Sequence, residues 1–105
     1  MLKRTFLLPL LLASPAAVAQ TVSGDPWAGE RLAAQQCAEC HLMGGTARAT
    51  VAGVPAFQSV ANDPNVTELG LRAFLSTPHH RMPDIVLSRR EINDLIAYIL
   101  SLKTP

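Results

Sequence analysis

The chain has 105 residues, 49% hydrophobic, 5% aromatic and 16% charged, with a formal net charge of +1. That length holds one small domain and excludes dinucleotide-binding folds, barrels and most large catalytic scaffolds. The charge balance excludes a dedicated nucleic-acid binder, the composition argues against disorder, and two cysteines are too few for a disulfide-stapled scaffold. With Phe6, Trp27, Phe57, Phe74 and Tyr98 as its aromatics, the side-chain core is thin, and something else is expected to fill the centre.

Residues 1–19 read as a secretory signal peptide. Lys3 and Arg4 supply the positive start, 6–12 an apolar run interrupted by Pro9, and Ala17-Val18-Ala19 a small-residue cleavage site. The apolar run falls well short of the ~20 residues a spanning helix needs, and Pro9, Ser14 and Pro15 break it further. Cleavage after Ala19 leaves 20–105 as a single domain, expected in the periplasm, with no integral membrane segment. Losing Lys3 and Arg4 also takes the basic count below that of the acidic residues, so the remaining domain is slightly acidic.

Asp25-Pro26 starts a helix: Asp caps the unpaired backbone N–H groups and Pro takes the first helical position. The helix is predicted from Pro26 to about Cys37, with Ala28, Leu32 and Ala33 among its apolar positions. Residues 42–66 read as loop, punctuated by Gly44-Gly45, Gly53, Pro55 and Asp63-Pro64. A second helix is predicted from about Thr67 to Leu75 and is stopped by Thr77-Pro78. Residues 76–87 contain Pro78 and Pro83 and no helical period, so they read as an extended loop. Ser88-Arg89-Arg90-Glu91 is a capping box. It opens the strongest helix, where Ile92, Leu95, Ile96 and Ile99 recur at i, i+3, i+4, i+7. That helix ends near Leu102, and Lys103 suits its negative end. The fold class is all-α, with about three helices and long loops.

Cys37-Ala38-Glu39-Cys40-His41 is C-x-x-C-H, the attachment sequence for a c-type haem. Two thiols three positions apart near a helix end can each add to one vinyl group on a haem edge. The next residue then sets an imidazole under the ring, where His41 would bind iron through Nε2. Three other readings compete. A zinc site needs four ligands; His79-His80 could complete one, but His41 would then be unexplained. A thioredoxin-type pair needs a βαβ context that is absent. A plain disulfide between Cys37 and Cys40 is the remaining structural alternative.

With these residues in place, the chain resembles the small class I c-type cytochromes, single-haem electron carriers. The resemblance covers Gly29 in the first helix, the Cys37–His41 motif, Gly53-Val54-Pro55, Met82-Pro83 in the late loop, and Tyr98 in the last helix. It implies a cytochrome c fold wrapped around one haem c, covalently held through Cys37 and Cys40. It implies Met82 as the second axial ligand, and the Pro55 carbonyl as acceptor for the Nδ1–H of His41. It also implies that the first and last helices pack at Gly29 and Tyr98. Ala33 departs from the pattern, since relatives usually carry a larger aromatic there.

The distal ligand has four candidates: Met43, His79, His80 and Met82. Met43 lies too close to His41 to reach the opposite haem face. The late loop can wrap round, and Pro83 biases Met82 to an extended conformation. His79 and His80 read as solvent-facing loop residues, with either still open as a ligand. Arg48 is the candidate partner of a haem propionate. Arg72, His79, His80, Arg81, Arg89 and Arg90 gather around the late loop, a basic rim suited to an acidic redox partner. The expected function is a monomeric, non-enzymatic periplasmic electron carrier between a redox donor and acceptor. Two alternatives stay open: a dedicated cytochrome subunit of a dehydrogenase complex, and a haem enzyme or gas sensor with an open iron site.

Overall fold

Four helices, α1 (Pro26–Gln36), α2 (Phe57–Asn62), α3 (Glu68–Ser76) and α4 (Arg89–Ser101), make up the computed structural model, which describes residues 2, 9, 12–15, 22–43, 53–77, 82 and 85–105. Among the described residues there is no strand, and no helix is long and apolar enough to cross a membrane.

Three helix starts are written in side-chain chemistry. Asp25 is extended and its Oδ1 accepts the Trp27 N–H at 2.9 Å. Thr67 Oγ1 accepts the Gly70 N–H at 3.0 Å. At α4 the box closes both ways: Ser88 Oγ accepts the Glu91 N–H, and Glu91 Oε1 accepts the Ser88 N–H at 3.0 Å. α2 is the difference from the sequence reading, which placed a loop over 42–66. Its N-cap, Ala56, makes no side-chain capping bond, and turn residues flank it on both sides. A six-residue helix is marginal in isolation. This one persists because Phe57 and Ala61 are buried in the cluster that includes Ile92, Leu95 and Tyr98.

α1 and α4 cross in close contact. A Cβ added to Gly29 would lie 2.0 Å from the Asp94 carbonyl oxygen and 2.8 Å from Tyr98 Cβ. Only a residue without a side chain lets the two backbones approach so closely. The Asp25 N–H donates to Asp94 Oδ1 at 2.8 Å, tying the start of α1 to the same turn of α4. Behind the crossing, Ala33 and Ile96 are wholly buried and Leu95 is 2% exposed. Ala33 is thus fully enclosed.

α3 is tied to α4 through Arg72, whose guanidinium donates to Asn93 Oδ1 at 2.5 Å and to Glu68 Oε1 at 3.2 Å. Arg72 is therefore not a free cation of the basic rim. Past α4 the chain is clipped back to α2: the Thr104 N–H donates to Asn62 Oδ1 at 2.9 Å, and Asn62 Nδ2 donates to Thr104 Oγ1 at 3.1 Å.

Candidate functional site

The C-x-x-C-H segment is shaped by the end of α1. Cys37 N–H and Ala38 N–H both donate to the Ala33 carbonyl, at 2.8 and 3.0 Å, which closes the helix. The Cys37 carbonyl then accepts from the N–H groups of Cys40 and His41, at 3.2 and 2.9 Å. The motif is thus wound into a tight turn at the helix end. Both thiols are free and half-buried, so the Cys37–Cys40 disulfide is not formed. Burial pushes the Cys37 thiol up from its ordinary value. Among the described residues no three His, Cys, Asp or Glu side chains are placed to hold a metal ion together; His79 and His80, which the zinc reading needs, lie outside them.

His41 is held by two neighbours. Its Nδ1 lies 2.7 Å from the Pro55 carbonyl oxygen. A carbonyl can only accept, so the proton of this bond sits on Nδ1. In the neutral ring that leaves the lone pair on Nε2, the state an iron ligand needs. The second neighbour is Phe57, whose ring stacks on the imidazole with centroids 4.8 Å apart and planes 25° apart. Phe57 also donates its N–H to the Leu42 carbonyl at 3.1 Å and meets Tyr98 edge-on at 6.3 Å. Sequence reasoning named Pro55 and missed Phe57. The available signal was an aromatic two residues past Pro55 in a chain with few aromatics.

A cleft of about 270 Å³ brings Cys37 and Met82 together. Its other walls include Leu32, Leu75, Ile85, Val86, Leu87 and Leu95. Val86 is 96% exposed, so one wall is bare apolar surface. Met43 packs against the core and lines a separate groove with Trp27 and Tyr98. Arg48, His79, His80, Arg81 and Pro83 lie outside the described residues.

The largely apolar cleft has the Cys37 thiol and the Met82 thioether in its lining, while Cys40 and His41, wound into the turn that follows Cys37, are not among its lining residues; together they make a set of sulfur and imidazole donors. That set suits a flat apolar macrocycle carrying iron, and the residues present fit such a group.

Comparison with known proteins agrees. The family model described as cytochrome c oxidase, cbb3-type, subunit III matches residues 24–99. Cytochrome c-552 of Bradyrhizobium diazoefficiens is 38% identical over 94 residues, covering 90% of this chain and 90% of the relative. No solved structure matches.

Proposed function

This chain belongs to the cytochrome c family, as an electron-transfer protein that carries haem c, and we propose that Cys37 and Cys40 hold the haem covalently with His41 and Met82 as the axial ligands. The observation that carries the reading is the His41 Nδ1–Pro55 bond at 2.7 Å, which presents Nε2 as a ligand atom. The presence of Cys37 and Met82 in one cleft supports it.

When bound, the haem supplies a one-electron couple at its iron. The chain's residues set the conditions. The Pro55 carbonyl fixes the tautomer and basicity of His41. The Met82 thioether, as a ligand, would favour the ferrous state and raise the potential relative to a second imidazole. Leu32, Leu75, Ile85 and Leu95 give the cleft a mainly apolar lining. If His41 and Met82 both hold the iron, no open position would remain for a substrate, which supports a carrier and not an enzyme.

Residues 1–19 act as an export signal in this reading, and 20–105 function in the periplasm as a monomer between redox partners. Arg89 and Arg90, exposed at the start of α4, would face an acidic partner. The matching model's description as an oxidase subunit favours a second reading, a cytochrome held in one respiratory complex. Copurification at native expression separates that from a free shuttle.

An extraction and a spectrum test the site. Haem should stay with the protein through acid–acetone extraction, and a haem that extracts freely overturns covalent attachment. The ferric protein should show the weak red methionine–iron band, and Met82→Ala should abolish it and lower the potential. Survival of the band in that variant assigns the ligand elsewhere.

A further inference from the structure

The Pro55 carbonyl holds His41 by a single atom, Nδ1. A bond to one atom constrains that atom's position more than it constrains the plane of the ring. The plane is met by Phe57, which lies face to face with the imidazole at 4.8 Å and 25°. Phe57 is itself poorly able to move. It is buried, its N–H is bound to the Leu42 carbonyl, and its ring abuts Tyr98 at 6.3 Å and 78°. Tyr98 sits where α4 meets Gly29 of α1. A continuous row of packed groups thus runs from the α1–α4 crossing at Gly29 to the His41 ring.

We propose that Phe57 is a positioning residue: its stacked face sets the rotation of the His41 imidazole plane. The helix crossing backs that face through Tyr98. This rests on His41 being an axial ligand. The stack is distinct from the Pro55 bond, because the carbonyl selects the tautomer and the aromatic face selects the plane. It also gives α2 a task, since Phe57 is its first residue.

The test uses the ferric holoprotein. Hyperfine-shifted haem-methyl proton resonances and the largest EPR g value both report the plane of an axial imidazole. Phe57→Leu, which keeps much of the volume but removes the flat face, should change the order or spread of the methyl shifts and move the g value. Phe57→Tyr, which keeps the face, should hold the wild-type pattern. Ile92→Val, a core truncation on the first turn of α4, should lower stability and leave the pattern alone. An unmoved pattern in Phe57→Leu overturns the proposal, as does an equal shift in Ile92→Val, which would mark general loosening. Where Phe57→Leu does not accumulate, Phe57→Met carries the same expectation and the same power to overturn it. A wild-type protein without a low-spin ferric signal overturns the ligand reading and the stack with it. A normal wild-type signal with an unmoved variant overturns the stack alone.

Discussion

Pro55 acts on His41 through its backbone carbonyl, and every residue has one. Pro55→Ala therefore keeps the acceptor while releasing the ring that restrains the backbone. The reverse change, X to Pro at a compatible site, stabilises by about 0.4–1 kcal/mol through the unfolded chain. Pro55→Ala should accordingly cost about that much in denaturant titration, while the potential and the red band stay where they are. A shifted potential would show that proline's rigidity, and not merely its carbonyl, holds the bond. The same distinction explains what the sequence made legible at the site. Cys37, Cys40 and His41 are readable because covalent attachment and ligation demand those residue types at that spacing. Pro55 and Met82 are readable only by resemblance, since a carbonyl is carried by any residue and a methionine is ordinary core material. Phe57 is marked in the sequence only as a rare aromatic two residues past Pro55, and its stack on His41 is not readable, because that depends on where the two rings meet in the fold.

Helices whose starts are encoded in capping side chains, α1, α3 and α4, stand within a residue or two of their expected bounds. α2 has no such cap and its apolar positions, Phe57, Val60 and Ala61, are too few to show a period, so its existence is a tertiary effect. At the α1–α4 crossing two terms oppose each other. Ala in place of Gly29 gains about 0.8–1.0 kcal/mol of helix propensity. Its Cβ would lie 2.0 Å from a backbone oxygen, however, and backbone cannot rotate away as a side chain can. Overpacking of this kind costs about 1–3 kcal/mol and at times more. Gly29→Ala should be destabilising by denaturant titration; an unchanged or raised midpoint would mean that the helices separate freely. At the start of α4, the Ser88 backbone N–H and then its hydroxyl hold the Glu91 carboxyl below its ordinary value. A lowered folded-state pKa contributes stability that is present above the unfolded value, about 4.3, and is lost as pH falls through the folded one. Glu91→Gln keeps a hydrogen-bond acceptor and loses the charge. Its melting temperature should lie below wild type at neutral pH and converge with it in acid. A gap that persists in acid would assign the effect to shape and not to charge.

For the whole molecule the question is whether side chains alone can hold it together. Ordering the backbone costs about 1–2 kcal/mol per residue. Against that, among the described residues Leu95 and Ile96 are the largest side chains fully removed from water; Phe57, Leu71, Ile92, Tyr98 and Ile99 are buried with them, and Ala33, Ala61 and Ala97 complete the buried hydrophobic set. Val86 and Trp27 stand 96% and 70% exposed. Small domains bury a low fraction of their surface and commonly rely on a bound group. A group that binds only the folded chain adds its binding free energy to stability. The Cys37→Ser/Cys40→Ser double variant, produced without covalent haem, should therefore lose most of its far-ultraviolet helical signal and melt without a cooperative transition. What helix survives should belong to α4, which carries its own capping box and apolar period. A double variant with the full helical signal and a sharp melt would show that the α1–α4 crossing and its core are sufficient. In that case the cleft walls of Leu32, Leu75, Ile85 and Leu95 would be preformed to receive the cofactor, and not assembled around it.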